Sequence, residues 1–263
     1  MDHSTVTPIM KMALLCCAAL AACDKNAVQV LPTAPLPASR IKFFNLGVND
    51  PGVNFYADAT KMTAITSTTG KESTLGVAYG AVGNGGAYSA IAPGQYTLTG
   101  RIAAATDKDL PIATVSATIA DGKYYSFYMS GFYNATAKTV DAFVVEDLVV
   151  APTDYSVASV RFVNAIGNAN PLTLYARNTA DTTKPAVAVG AAVAYKGVGA
   201  FAPLPTGVYD LFARFTDSTT NKITSRGVSF FGGRVYSVSA RGDITITDST
   251  ATRRPILDNT ANR

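Results

Sequence analysis

The sequence predicts an all-β protein made of two tandem antiparallel β-sandwich domains. Charged residues make up only 15% of the chain and apolar residues 48%, and Val, Thr, Tyr, Phe and Gly are frequent, which is typical of strands and tight turns. Short segments in which apolar and polar residues alternate are separated by turn residues. Several of these segments recur in the same order in a second stretch, and each stretch has the size of a sandwich domain.

Residues 1–22 are predicted to be a signal peptide. Lys11 precedes an apolar run that ends at Ala22. This run is well short of the roughly 20 residues of a spanning helix, and it fits the apolar part of an export signal. Translation can start at Met1 or at Met10, and the sequence leaves both open.

The end of this signal, Leu20-Ala21-Ala22-Cys23, resembles the bacterial lipobox. The resemblance implies cleavage before Cys23, diacylglycerol on its thiol and an acyl chain such as palmitate on its amine, which together hold a protein at a bilayer. Residues 23–38 would then form a Pro-rich tether that extends about 3.1 Å per residue. We therefore expect a lipid-anchored protein of the bacterial cell envelope, on the periplasmic face of the inner or outer membrane or on the cell surface.

Cysteine and histidine are confined to the N-terminal segment. Cys16, Cys17, Cys23 and the single histidine, His3, all precede the predicted fold. The mature domains therefore cannot contain a disulfide, a Ser-His-Asp triad, a cysteine nucleophile or a His-ligated zinc. We predict no enzymatic activity, no cofactor and no metal.

The first predicted sandwich covers residues 39–150. Its strands are expected at 40–45, 53–57, 74–79, 87–91, 95–102, 114–119, 123–130 and 141–146. Asp121-Gly122 is predicted to be a hairpin turn that joins two of them. A short linker, residues 151–155, leads to the second sandwich, residues 156–263, so we expect the two sandwiches to touch.

Matched residues define the repeat. The matches include Lys42 and Arg161, Asn45 and Asn164, Tyr56 and Tyr175, Tyr79 and Tyr195, Gly94 and Gly207, Tyr96 and Tyr209, and Gly122 and Gly233. The offset is 119 residues at the first of these pairs and 111 at the last, which indicates loop deletions. We expect the asparagines, which end the first strand of each domain, to bond their own backbone. We expect the glycines after Pro93 and Thr206 to adopt conformations that penalise a side chain, and the following tyrosines to form tyrosine corners.

These residues also carry a family resemblance. The segments are Val160-Arg161-Phe162-Val163-Asn164-Ala165, Leu174-Tyr175, Gly207-Val208-Tyr209, Gly233-Arg234-Val235-Tyr236-Ser237 and Ile256-Leu257-Asp258-Asn259. They resemble the bacterial domain-of-unknown-function 4397 family, which implies a secreted or lipid-anchored protein, often with tandem copies, and no known activity. Ile91 to Leu98 resembles a strand of prealbumin-like sandwiches, so the strand order, immunoglobulin-like or prealbumin-like, stays open.

Charge is unequally divided between the two domains. Residues 39–150 contain 8 basic and 9 acidic residues, whereas residues 156–263 contain 12 basic and 6 acidic residues, nine of the twelve being Arg. Arg favours planar contacts with carboxylate and phosphate. The second domain is therefore expected to meet an anionic envelope glycan or protein, and nucleic acid is not expected for an exported protein without a basic cluster and aromatic platform.

These observations favour a non-enzymatic, lipid-anchored envelope protein with a binding or scaffolding role. One alternative is carbohydrate binding through Tyr79, Tyr88, Tyr128 or Tyr133. Another is a carbohydrate-active enzyme that uses a pair of carboxylates. Glu72 and Glu146 are the only glutamates after Cys23, so such a pair would depend on aspartates.

Overall fold

The computed structural model describes residues 36–64, 73–148 and 152–262. Cys23, the predicted signal peptide, Glu72 and part of the predicted linker lie outside these residues. The residues from Pro37 onward form one compact unit. Within the described part of the chain, no helix is long and apolar enough to span a membrane.

Nine strands form the first sandwich. They are β1 (Arg40–Asn45), β2 (Val53–Ala57), β3 (Thr60–Lys61), β4 (Ala81–Val82), β5 (Ser89–Ala90), β6 (Gly94–Ile102), β7 (Pro111–Ile119), β8 (Tyr124–Asn134) and β9 (Thr139–Asp147). A short 3-10 turn, Gly83–Gly86, separates β4 from β5.

Nine further strands form the second sandwich. They are β10 (Val157–Asn164), β11 (Leu172–Asn178), β12 (Val187–Ala188), β13 (Gly197–Val198), β14 (Ala202–Pro205), β15 (Gly207–Phe215), β16 (Ile223–Phe230), β17 (Val235–Arg241) and β18 (Ile256–Ala261).

The strands of the two sandwiches pair in the same order. One sheet of each sandwich, here called the inner sheet, has the order β4-β1-β8-β9 with β5 beside β1, or β13-β10-β17-β18 with β14 beside β10. The other, the outer sheet, has the order β3-β2-β6-β7 or β12-β11-β15-β16. The all-β prediction is confirmed, and the chain forms two sandwich-like units as predicted.

Two strand pairs depart from the predicted antiparallel arrangement. β1 pairs in parallel with β8, and β10 pairs in parallel with β17. Parallel strands usually have both faces covered, and this holds here. Ile41 and Phe43 point into the core of the first sandwich, while Lys42 and Phe44 are equally buried on the opposite face of β1.

Two local predictions are wrong. The segment 74–79 forms no strand among the described residues but only a bridge between Val77 and Val53. Asp121-Gly122 does form a turn, but β7 and β8 belong to different sheets, so the turn is not part of a hairpin. Local sequence signals the reversal of the chain, whereas the pairing partner is decided by distant residues.

The predicted bond of a matched asparagine to its own local backbone forms at Asn164 and, within the described residues, not at Asn45, and both asparagines also bond segments distant in the chain. The Asn45 amide donates to the Val77 carbonyl at 2.8 Å, and the Asn164 amide donates to the Val193 carbonyl at 3.1 Å. The Asn164 side-chain oxygen also accepts the Ile166 amide at 3.1 Å. Each asparagine thus ties the end of the first inner strand to a segment that bridges to the outer sheet.

The predicted tyrosine corner is present in the second sandwich. The Tyr209 ring is buried and its hydroxyl donates to the Pro205 carbonyl at 2.8 Å. Tyr96 is only partly buried at the edge of the first core. Gly94 has a φ of +154°, as expected, whereas Gly207 shows no positive φ and is instead confined by the Asn178 side chain.

Candidate functional site

Most carboxylates for which contacts are described are bound to cations. The pairs are Glu146 with Lys123, Asp107 with Lys138, Asp147 with Arg161, Asp181 with Lys184, Asp141 with Lys196, Asp210 with Arg177 and Arg226, and Asp258 with Arg241. A neighbouring cation favours the ionised form of a carboxyl group, which is not the form that donates a proton in general acid catalysis. No cluster of three or more metal-ligating side chains occurs within residues 36–64, 73–148 and 152–262.

Asp50 is a buried carboxyl without a cation. Both of its carboxylate oxygens are shielded from solvent, and neither makes a hydrogen bond of good geometry to the residues described. Burial raises the pKa of Asp50 to about 8, and the neighbouring Asn45 amide opposes this shift only in part. Asp50 also lies over Gly47, because a Cβ at Gly47 would come within 2.4 Å of its carboxylate.

The tyrosines predicted to bind a glycan all contact other residues of the protein. Tyr128 is fully buried. The Lys42 Nζ lies 4.3 Å from the ring centroid of Tyr88, and Tyr133 packs partly buried against the first core. The Tyr79 ring is covered by Arg241, whose guanidinium carbon is 4.8 Å from the ring centroid. Of the four rings only Tyr128 is fully buried, and the other three are partly exposed.

A basic and aromatic surface lies instead on the outer sheet of the second sandwich. We call it the arginine face, and it consists of Tyr175, Arg177, Asp210, Phe212, Arg214 and Arg226. It follows from strand alternation, since Leu172, Leu174 and Ala176 of β11 point into the core and the residues between them point outward. A shift of register between Tyr209 and Leu211 in β15 lies beside Asp210.

Guanidinium groups and rings alternate across this face. Tyr175 pairs with Phe212 across the strands, and Arg177 pairs with Asp210. The Arg214 guanidinium carbon is 4.3 Å from the Tyr175 ring centroid and 5.9 Å from that of Phe212. The Arg177 guanidinium carbon is 5.5 Å from the Phe212 ring centroid. Cation–π contacts of this kind hold the guanidinium planes in place.

Hydrogen bonding leaves many donors of the arginine face free. Arg177 Nη2 and Arg226 Nη1 both donate to Asp210 Oδ2, at 3.0 and 3.2 Å, and these contacts lower the pKa of Asp210, with Arg177 the largest cause. Arg214 Nε donates to the Asn221 side chain at 2.7 Å. The Nε of Arg177 is buried without a hydrogen-bond partner within the described chain, and Arg226 is 71% exposed. The one carboxylate of this face, Asp210, thus binds two of its three guanidinium groups.

The equivalent face of the first sandwich has the same stack of an arginine on a tyrosine but lacks the excess of arginine. Arg101 lies over Tyr56 with its guanidinium carbon 4.3 Å from the ring centroid, as Arg214 does over Tyr175. The Tyr56 hydroxyl donates to Asp109 at 2.9 Å, and Arg101 donates to the Asp58 carbonyl at 2.8 Å. The aromatic–arginine stack is therefore shared, whereas the excess of arginine is peculiar to the second sandwich.

The sequence predicted an anionic partner for the second domain but did not single out these residues. The signal was present as two alternating pairs, Tyr175 with Arg177 and Phe212 with Arg214, each separated by two positions. Such spacing places both members of a pair on one face of a strand. The other predicted site residue, Cys23, lies outside the described residues, so its lipidation remains a prediction.

Comparison with known proteins identifies a family and no function. The model of the family described as "Domain of unknown function (DUF4397)" matches residues 39–175, slightly more than half of the chain. No curated protein matches the chain. Among solved structures, the Bacillus anthracis TIE protein is 15% identical with a TM-score of 0.24, over 77% of this chain and 33% of that one.

A leucine-rich repeat protein from Bacteroides thetaiotaomicron VPI-5482 is 11% identical with a TM-score of 0.20, over 78% of this chain and 26% of that one. The alignments therefore span about a third and a quarter of the length of these two proteins. The assignment depends on the family match alone, and by that match the chain belongs to the DUF4397 family of domains of unknown function.

Proposed function

We propose that this protein is a non-enzymatic, lipid-anchored component of the bacterial cell envelope that binds an acidic polysaccharide through the arginine face. The observation that carries the proposal is the presence of three arginines and one carboxylate on one face, with two of the arginines, Arg177 and Arg214, held against aromatic rings. Planar guanidinium donors suit carboxylate and sulfate groups, and the partly exposed Tyr175 ring supplies apolar contact for a sugar ring.

The predicted N-terminal anchor and tether also support this proposal. The lipobox-like residues before Cys23 would fix the N-terminus to a membrane, and the Pro-rich tether would separate the sandwiches from it. A protein held in this way needs no turnover to contribute to the envelope, because retention of a polymer near the membrane depends on binding alone.

The binding test uses the mature chain with Cys23→Ser and alginate, a polyuronate, as the probe. Arg214→Gln combined with Arg226→Gln should weaken binding about tenfold or more, because each lost charge-assisted hydrogen bond is worth about 1.5–3 kcal/mol. Arg177 is kept so that Asp210 retains a partner. Binding should also weaken as salt rises, and neutral dextran should not bind.

The first sandwich provides the matched control. Lys61→Gln combined with Arg101→Gln removes the same number of charges from the equivalent outer sheet, and it should leave alginate binding within about twofold of the parent, since a distant exposed charge is screened. Equal losses in the two double variants would show that only net charge matters and would remove the arginine face from the proposal.

The anchor has a separate test. Cys23→Ser should move the protein from the membrane fraction to the aqueous fraction, because stable anchoring requires the acyl chains. Separation of the inner and outer membranes of cells that contain the unaltered protein would identify the membrane to which it is anchored. Retention of the serine variant in membranes would contradict anchoring through Cys23.

A further inference from the structure

The two inner sheets pack against each other through the faces that point away from their own cores. An apolar cluster lies between them and consists of Phe44, Leu46, Tyr128 and Phe143 from the first sandwich and Val163 and Ala165 from the second. Tyr128 stacks on Phe44 at a centroid distance of 4.4 Å and on Phe143 at 5.0 Å. The first sandwich therefore contributes most of the volume of this cluster.

Polar contacts across the same interface are reciprocal. Arg161 of β10 donates to Asp147 at the end of β9, and Lys42 of β1 lies 3.4 Å from the Oδ1 of Asn262, the residue after β18. Lys42 and Arg161 occupy equivalent positions, as do Asp147 and Asn262. Each sandwich thus offers a cation from its first strand to the end of the last strand of the other.

A second set of contacts is exchanged in the same way. Ser130 of the first sandwich lies 3.1 Å from the Tyr195 hydroxyl of the second, and Arg241 of the second covers Tyr79 of the first. Ser130 is equivalent to Arg241, and Tyr79 to Tyr195. Exchange of equivalent contacts is the mark of a two-fold, isologous interface, so the two sandwiches are arranged as the halves of a dimer within one chain.

We infer that this interface is a heterotypic pairing surface: the first sandwich fits the second, and neither fits a copy of itself. Three pairs of equivalent residues carry the inference, since each is large in the first sandwich and small in the second. They are Phe44 and Val163, Leu46 and Ala165, and Tyr128 and Ser239. The inference goes beyond the proposed function and does not depend on it.

The third pair meets at the centre of the interface. Tyr128 and Ser239 are both buried, and their hydroxyls are neighbours, although neither makes a hydrogen bond of good geometry within the described residues. Two first sandwiches would bring two tyrosine rings to this one place, and cores tolerate added volume poorly. Two second sandwiches would bring two serines together and leave a cavity, which is also unfavourable.

Charge acts in the same direction for the second sandwich. In a pair of second sandwiches, Arg161 would face Asn262, and the buried guanidinium would lose its carboxylate. Asp147 is present only in the first sandwich, where it also accepts the Ser126 hydroxyl at 2.7 Å. The interface thus disfavours a pair of first sandwiches by volume and a pair of second sandwiches by volume and by charge.

The test cuts the complete mature chain between the sandwiches. A protease site that replaces residues 149–151 allows cleavage after folding, and light scattering with size exclusion then measures the assembly. We expect the two fragments to remain together as a one-to-one complex at micromolar concentration. Separation of the fragments, or their exchange into two kinds of homodimer, would overturn the inference.

Size matching is tested in the same cleaved protein. Ser239→Tyr and Tyr128→Ser should each weaken association at least tenfold, and the double variant, which exchanges the two side chains, should recover most of the loss. Circular dichroism of the uncut variants shows whether the sandwiches remain folded. Should Ser239→Tyr unfold the chain, Ala165→Leu applies the same test with less added volume. Unchanged association in the single variants would contradict size matching.

Discussion

Replacement of Asp147 by alanine should lower the free energy of unfolding by about 3–5 kcal/mol, the usual cost of leaving a buried charge without its partner. The Arg161 side chain is 2% exposed and that of Asp147 is fully buried. Asp147 also accepts the Ser126 and Tyr88 hydroxyls, at 2.7 and 2.6 Å. Its loss would therefore remove the acceptor of two buried donors, Arg161 Nη2 and the Ser126 hydroxyl, and of the partly buried Tyr88 hydroxyl. Urea unfolding followed by circular dichroism measures the change.

The second sandwich supplies a matched control at the equivalent position. Asn262 donates to Ser237 at 2.8 Å, and within the described chain its only contact with a charge is the 3.4 Å contact with Lys42, which also donates to the Ala261 carbonyl at 2.8 Å; Asn262→Ala should therefore cost only about 1 kcal/mol. Exchange of both charged partners for apolar residues, Arg161→Met with Asp147→Leu, should recover part of the stability, because a buried ion pair gains little over a well-packed apolar pair, while the Ser126 and Tyr88 hydroxyls still lack their acceptor. Equal effects of the two alanine substitutions would argue against a buried charge as the cause.

Asp50→Asn is expected to have the second large effect, and that effect should depend on pH. Burial raises the pKa of Asp50 from 3.8 in the unfolded chain to about 8 in the folded protein. Between these values the folded state keeps a proton that the unfolded state releases. The contribution of Asp50 to stability is therefore fully present below pH 4 and is lost as the pH rises to 8, at about 1.4 kcal/mol per pH unit.

Asparagine removes this titration and keeps the shape of the side chain. The unfolding free energies of the parent and of Asp50→Asn should diverge steadily from pH 4.5 to 7.5, with the variant the more stable at the upper end. The window avoids Lys42, whose pKa burial lowers to about 8 and whose ionisation changes above that range. Parallel pH curves for the two proteins would show that Asp50 is ionised in the folded state.

The equivalent position shows that the fold does not require this acid. Ala169 stands where the first sandwich has Asp50, and both backbone amides make the same bond, to the Ile166 and Gly47 carbonyls at 3.3 Å. The second sandwich has thus replaced Gly47 and Asp50 together, by Ile166 and Ala169, two apolar residues that belong to or pack against its core. Asp50→Ala in the first sandwich should accordingly fold.

Much of the architecture could be predicted from the sequence, because repeated local patterns report local structure. Alternation placed β1, β2, β6, β8 and β9 close to their observed bounds, and the match of Tyr209 to Tyr96 predicted a corner that forms in the second sandwich. The positions of strands and turns depend on residues that are near in sequence. In a repeated sequence each of these local patterns occurs twice, which strengthens the prediction.

What the sequence did not predict involves partners that are distant in the chain. Lys42 and Arg161 look like solvent-facing charges in alternating strands, yet both are buried because a second inner sheet covers that face. The turn at Asp121-Gly122 predicted a hairpin, but its two strands pair with β6 and with β1. The arginine face was missed as a site because its members come from three strands whose register cannot be read from any one of them.

The parallel pairing of the inner strands also bears on how the protein is made. Arg40 pairs with Tyr124, 84 positions later in the chain, and Val160 pairs with Tyr236. Closure of such distant strands is slow compared with formation of local contacts. The first strand of each sandwich therefore lacks its parallel neighbour until almost the whole sandwich has been synthesised, which should postpone the folding of each inner sheet until late in synthesis.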